Sequence, residues 1–413
     1  MGTDNTKASL EEAFRYVQEN KLLYLNAGPS ILQKLVPMKD RDILGRDFKL
    51  PVALSFELGI TYGDGTSFNL NDSIAANYSE IEIDPTPVVL RTRVSLQVVN
   101  RWEKRDKAVL NNVALRTGQM KQSLEKFAEI AILHGRTGIG TVGSVSDSSG
   151  TNTVTLTDAT WAPGIWSGMS EAKLDAFDAD NSTQQNSNAD YVLSSVSHDN
   201  KQIVITGNAT DTADLAAGDI FYFKGANGSE MFGIKHQLDT SGTVFGIDSS
   251  VYDLWKANEH TVSGALTMNE ILKGQAKAVG KGMLQEDVIC LVSPTTYESL
   301  NDDLSALRAF DKSYEKNKGE SGFNSICYIG QGGKIDIISH PYMMEGDAFS
   351  MPKSCLRRVG AKDIEFIQDD GGGYFSSLHV AGVMGFQCVG QFEYQFVITE
   401  PSKCVIYKSI VNP

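Results

Sequence analysis

The chain has 413 residues, enough for two or three domains and a sizeable core. An apolar share of 41% and a charged share of 21% are those of a folded globular protein rather than a disordered or fibrous one. With 37 basic against 51 acidic residues the balance is −14, which makes the chain a poor sequence-independent binder of nucleic-acid phosphates and argues against docking on anionic membranes.

The first residues show no basic-then-apolar secretory pattern, and no 18 apolar residues run together. Met1-Gly2 with Thr6 fits a myristoylation pattern so short that chance accounts for it. Five cysteines (Cys290, Cys327, Cys355, Cys388 and Cys404) form no CxxC pair and read as reduced thiols, mostly small core residues.

Residues 9–23 open with Ser9 and carry Glu12 three positions later, a capping-box start to a short helix. A second short helix is predicted over residues 31–36. The pattern then changes to a period of two. Val52, Leu54, Phe56, Leu58 and Ile60 alternate with small or polar residues over 52–60, the signature of a strand with one buried face. Residues 88–98 repeat it, with Leu90, Val94, Leu96 and Val98 on one side and Arg91, Arg93, Ser95 and Gln97 on the other. The stretch between is polar and turn-rich. This reads as a long two-stranded arm, and two strands alone bury too little to be stable. The arm needs a neighbour to lie on.

From Arg101 to Leu133 the period is helical, with Met120, Leu124, Phe127, Ala131 and Ile132 on one stripe and a break foreseen at Gly118. The predicted helix is about 30 residues, or roughly 45 Å, long. It ends at LHGRTGIG, residues 133–140, with Gly135 as the expected left-handed cap and His134 as a favourable charge at the helix end. Three glycines in six residues raise the question of a phosphate loop. Such loops follow a strand and open a helix. Here the glycines follow a helix and precede a strand, so Gly135, Gly138 and Gly140 read as a flexible junction, a hinge into the next module.

That module, residues 137–248, holds 14 acidic residues, 4 lysines and no arginine. Short strands are predicted at 139–145, 152–157, 190–196, 201–206 and 219–224, separated by Gly-, Asp- and Asn-rich turns. The spacing indicates a small β-barrel or sandwich inserted into a host domain. The host resumes with a helix from about 262, a buried strand at 287–293, a short helix at PTTYESLNDDL, strands at 324–330 and 334–339, and a strand-rich end. There Phe392, Tyr394, Phe396 and Ile398 alternate with Glu393, Gln395 and Val397.

No chemistry-bearing constellation emerges. The six histidines (His134, His198, His236, His260, His340 and His379) show no metal-ligand spacing, and an acid-base role for His340 lacks a visible partner. Asp369-Asp370-Gly371-Gly372-Gly373 lacks the alternating ligands of a calcium loop and reads as a turn. There is no G-x-S-x-G. The basic clusters at 104–107 and 356–358 read as solvated faces or subunit contacts. No catalytic, cofactor-binding or metal residue is assigned.

The order of elements carries a resemblance. Together with LHGRTGIGTV, TLTDATWAPGIWSGM, GSEMFGIKHQLDTSGTVFGID, LTMNEILKGQAKAV, LVSPTTYESLNDD, HPYMMEGDAF and VGAKDIEF, it resembles the major capsid protein of a tailed bacteriophage, of the Hong Kong 97-type α+β fold. The resemblance implies an N-terminal arm at 1–47, an extended β-hairpin loop at 48–98 lying over a neighbouring subunit, and the spine helix of the peripheral domain at 99–136. It further implies an inserted β-rich domain at 137–248, an axial α/β domain at 249–375 and closing strands of the peripheral domain at 376–413. Glu57, Arg91 and Arg93 then become candidate inter-subunit contacts. The implied partners are copies of the chain itself, a separate scaffolding protein, a portal and a decoration protein, with packaged double-stranded DNA contacted weakly and no membrane. The implied location is the virion shell, assembled in the bacterial cytoplasm. Two other readings stand beside it: a cellular nanocompartment shell of the same fold, and a two-domain hydrolase or nucleotide-binding enzyme with its cleft between the insertion and the α/β part. A β-rich tail or surface-layer protein fits the long helix poorly.

Overall fold

A computed structural model describes residues 30–38, 48–63, 70–83, 85–95, 106–302, 325–367, 376–380 and 383–412. The predicted helix at 9–23 and the turn at 369–373 lie outside them. The described chain is a mixed α+β structure with a closed barrel, a six-stranded sheet, a four-stranded sheet and a projecting hairpin.

After a single helical turn, Leu32–Leu35, come β1 (Phe48–Ala53), β2 (Tyr78–Ile83) and β3 (Pro87–Ser95). β1 pairs antiparallel with β2, so the arm is a hairpin of these two. The expected partner, β3, pairs instead with β19 (Val383–Ile398), which corrects the two-stranded arm of 52–60 with 88–98. Alternation gives extended backbone but not its partner; the long C-terminal strand offers β3 a nine-residue register that β1 does not need.

The long helix runs unbroken from Asp106 to His134, through Gly118. Residues 128–134 are buried on every side, because the helix passes between the C-terminal sheet and the turn after His340. His134 is therefore no surface charge. Its Nε2–H donates to Tyr342 O (2.8 Å). Burial, with Lys235 nearby, holds its pKa down to about 3.

The barrel follows: β4 (Gly140–Asp147), β5 (Thr151–Leu156), β6 (Lys173–Phe177), β7 (Tyr191–Ser197), β8 (Gln202–Thr206) and β9 (Ile220–Phe223), closed in the order β4-β5-β8-β7-β6-β9. Five strands fall where the sequence puts them; β6 is additional. Val142, Val154, Leu156, Leu174, Tyr191, Leu193, Ile203, Ile205 and Phe221 are buried in or beneath it. The barrel closes at Phe223. Residues 231–248, including the small hairpin β10 (Thr243–Val244) and β11 (Ile247–Asp248), pack back on the body instead of extending the barrel to 248.

The six-stranded sheet has the order β12 (Asn258–Gly264), β20 (Val405–Ile410), β16 (Ala348–Pro352), β13 (Val288–Val292), β15 (Gly333–Ser339) and β14 (Ser325–Gly330). β13 is parallel to β15 and every residue of it is buried. The helix Met268–Gly280 starts on an N-cap, with the Thr267 side chain accepting from Glu270 N–H. Its Gly274 lies against the Tyr407 ring, whose hydroxyl donates to Ile271 O (2.9 Å).

The four-stranded sheet joins β17 (Leu356–Phe366), β18 (Ser376–Val380) and β3 to β19. The sheets cut across the boundary read at 375/376: β17 belongs with β19, and β20 returns to the six-stranded sheet. Both faces of β19 are covered near its end. Phe392, Tyr394 and Phe396 face the main core, and Gln395 and Val397 are buried as well. Gln395 accepts from Phe232 N–H (2.9 Å) and donates to Phe232 O (2.8 Å).

Candidate assembly surface

The hairpin arm is seated at its root and bare beyond it. Leu54, Ile81 and Ile83 are buried in a small core with Val244, Phe245, Ile247, Trp255, Val359 and Val397. Past Ala53 the regular ladder stops, yet the two legs stay together. Leu54 N–H donates to Asn77 O (2.8 Å) and Leu58 N–H to Ile74 O (3.1 Å). Asn71 ties the far end, its N–H to Thr61 Oγ1 and its Nδ2 to Ile60 O, both 2.9 Å. The legs thus reach about 25 Å past the root at about 3.3 Å per extended residue. The strand predicted over 52–60 continues as paired chain, but its ladder ends at Ala53, and beyond Leu54 its apolar side chains are not buried.

Phe56, Leu58, Ile60, Tyr62, Leu70, Ile74 and Tyr78 are 56% to 91% exposed. These are seven of the large exposed hydrophobics of the described residues, all in one short stretch. Scattered exposed apolar residues need no explanation, whereas a clustered set marks an interaction surface. Glu57 is exposed between Phe56 and Leu58. Arg91 and Arg93 are exposed on β3, opposite Val389 and Gln387 of β19, and so lie on the C-terminal sheet rather than on the arm. Among the described residues neither arginine has a side-chain partner.

The other basic candidates behave differently. Arg358 is 2% exposed, paired with Asp363 and stacked over the Tyr394 ring, so it belongs to the core and not to a solvated face. Residues 104 and 105 lie outside the described chain.

The glycine junction is a packed crossing. Gly135 does not take the left-handed conformation expected of it; Arg136 does (φ 65°). Gly135 is required by proximity, because a Cβ there would sit 2.2 Å from Met231 O and 2.6 Å from Ala131 O. Gly233 N–H donates to Gly135 O (3.1 Å), joining the barrel's entry and exit segments. Gly138 (φ 81°) lies against Ile220, and Gly140 against Leu156 and Trp166. Arg136 Nε donates to Glu230 O (2.9 Å) and its guanidinium covers the Phe232 ring at 3.9 Å. Glycine here serves close approach, so the flexibility read from its abundance is not what the packing supports.

Among the described residues, barrel and body are tied directly to each other where the enzyme reading puts its cleft. Glu345 N–H donates to Trp161 O (3.0 Å), Gly346 N–H to Ala159 O (2.8 Å), and Lys201 pairs with both Asp158 and Glu345 at 2.9 Å. Among the described residues, no three His, Cys, Asp or Glu side chains gather as metal ligands, and no helix is long and apolar enough to cross a membrane. His340 does find a carboxylate, Glu129, which the sequence did not single out; the pair is fully buried beneath the N-terminal turn.

The chain matches no family model and no curated protein sequence. Solved structures are similar in fold. The capsid asymmetric unit of cyanophage A-1(L) aligns over 96% of this chain and 98% of that chain, with a TM-score of 0.54 and 10% identity. The fold is that of a phage capsid protein. Two further alignments are looser: the capsid of a native GTA particle (TM-score 0.47, 7% identity, 98% of this chain and 100% of that one) and mycobacterium phage Bobi (TM-score 0.45, 12% identity, 100% of each). Of these three, the cyanophage structure is near enough to establish the capsid fold, and at its identity it establishes the fold alone. Within that fold, the bare arm is the feature with a use still to be explained.

Proposed function

We propose that the chain is the major capsid subunit of a tailed bacteriophage, of the Hong Kong 97 type, and that it assembles as pentamers and hexamers into an icosahedral head around double-stranded DNA. The observation that carries this reading is the arm: a 25 Å-scale hairpin (about 3.3 Å per residue) with apolar side chains that its own subunit leaves uncovered. In a closed shell each arm lies on the next copy, a heterologous contact closed by symmetry. The capsid fold over nearly the whole chain supports the same reading. In it, the barrel is an inserted domain rigidly joined at Gly135 and Gly233. Glu57, Arg91 and Arg93 are rim contacts that set register and partner choice more than affinity. A separate scaffolding protein and a portal are the further partners, with room for a decoration protein. The −14 balance leaves packaged DNA weakly held. The location is the virion, with assembly in the host cytoplasm.

The test is negative-stain microscopy of the purified chain, alone and with a co-expressed scaffolding candidate. Closed shells, hexamers or pentamers are expected. A persistent monomer with the scaffold present overturns the reading. Charge reversal at Arg91 and Arg93 together should disturb shell geometry; unchanged assembly removes them from the interface.

A further inference from the structure

Residues 30–37 cross the body as a short strap. Ile31, Leu32 and Val36 are buried in the main core. The helical turn Leu32–Leu35 is too short to hold its shape alone, since a single turn meets the nucleation penalty without propagation to offset it. Its conformation therefore depends on what it touches. Two buried charged side chains touch it, one at each end. Glu129 of the long helix, fully buried, accepts from Leu32 N–H (Oε2, 3.2 Å) and Gln33 N–H (Oε1, 2.8 Å). Arg358 of β17 donates from Nη1 to Gln33 O (3.4 Å). A carboxylate at the N–H end and a guanidinium at the carbonyl end match the partial charges of the turn.

Each charge is itself held in place. His340 Nδ1 accepts from Tyr342 N–H (3.2 Å), which puts the ring proton on Nε2, and Nε2 donates to Glu129 Oε2 (3.0 Å). Arg358 is fixed by Asp363 and the Tyr394 ring, 4.1 Å from the guanidinium carbon. Gln33 adds one more tie, from Nε2 to Glu125 O (3.0 Å).

We propose that Glu129 and Arg358 form a clasp that holds residues 30–37 on the body, that this strap docks and leaves as a unit, and that the Glu129 carboxylate is the positioning group on which docking depends. With the strap away, Glu129 keeps His340 as its donor and the two strap N–H groups turn to water. With the strap docked, both carboxylate oxygens are in use. An amide at this position is no substitute: whichever way it turns, its NH2 faces an N–H that the carboxylate accepted. The inference does not rest on the assembly reading and is tested on the unassembled full chain.

Hydrogen exchange read by mass spectrometry compares the strap, residues 30–37, with the long helix at 120–133. In Glu129→Gln, strap protection is expected to fall at least about tenfold while the helix is unchanged, the scale of one lost charge-assisted hydrogen bond. A second variant, Glu129→Leu with His340→Leu, replaces the buried pair by apolar side chains, a change that cores tolerate. It is expected to keep the body folded and still release the strap. Strap protection within about twofold of wild type in either folded variant would overturn the proposal. So would loss of strap and helix protection together in both variants, failure to fold included, since Glu129 would then be a general core group and not a clasp.

Discussion

Phe56, Leu58 and Ile60 are 72%, 61% and 60% exposed on the arm. Replacing all three by serine removes apolar surface that the isolated subunit does not bury. Full burial of such a side chain is worth about 2 kcal/mol relative to exposure. With roughly two thirds of each still open, docking of one arm has about 4 kcal/mol available from these three, a factor of about 1,000 in an association constant. The subunit itself should lose almost nothing, because the same side chains contribute little to its own core. Two measurements separate these effects: the threshold concentration for particle formation by sedimentation, and the thermal midpoint of the unassembled chain. The threshold should rise by about two to three orders of magnitude, with the midpoint moved by less than about 2 °C. Assembly at the wild-type threshold would show that the arm is not the contact. A midpoint lowered by many degrees would show that the arm is packed within its own subunit, and the interface argument would fail with it.

Gly135→Ala places a Cβ 2.2 Å from Met231 O, so the crossing must open; a loss of about 2–3 kcal/mol is expected by denaturant titration, against about 1 kcal/mol for Gly228→Ala, whose Cβ meets only open space at φ 73°. The folded chain keeps His134 unprotonated down to about pH 3, while the unfolded chain binds that proton below about 6.5, so stability falls as pH drops through this window. The slope from this residue is about 1.4 kcal/mol per pH unit. His134→Gln, which keeps a donor for Tyr342 O, should flatten urea-determined stability between pH 6 and 4.5 by that amount, and an unchanged slope would place the titration elsewhere. Burial pushes the Cys290 thiol up to about 12 and Cys355 to about 11, and Cys404 rises too, whereas Cys327 is half-buried. Native labelling with a thiol reagent should reach Cys327 first, and fast reaction of two or more thiols would contradict the packing.

Local pattern reported backbone type well and partners poorly, for a physical reason that particular residues make plain. Alternation over 52–60 and 88–98 pointed to extended chain, which the described residues 88–95 form, because side-chain direction in a strand is local. It did not say that β3 pairs with a strand about 300 residues later, because pairing is decided by tertiary contacts. β6 escaped because both its faces are covered: Leu174, Asp175 and Ala176 are all buried, with Asp175 accepting from Gly225 N–H (2.7 Å) and Asn186 Nδ2 (3.0 Å). Glu129 went unnoticed, and Arg358 read as part of a solvated face or subunit contact, for the same reason. A helix or strand enclosed on all sides loses the stripe that separates core from surface, and a charge there announces itself only through its partners.

The arm is the opposite case, and it is the more informative one. There the sequence demands a buried face and the subunit withholds it. Natural chains are consistent across levels except where function intervenes. An apolar stripe left bare on a projecting hairpin would be an aggregation hazard in a protein that stayed alone. The hazard becomes specificity once the covering surface is another copy of the same chain, presented at a fixed angle by the same fold. The root of the arm supplies that angle, since Ile81 and Ile83 are fully buried against Trp255, Val359 and Val397. Loosening the root without touching the stripe, for example by Ile81→Ala, should therefore damage assembly geometry as well as stability, and heterogeneous particles in place of uniform shells are the outcome that distinguishes aim from affinity.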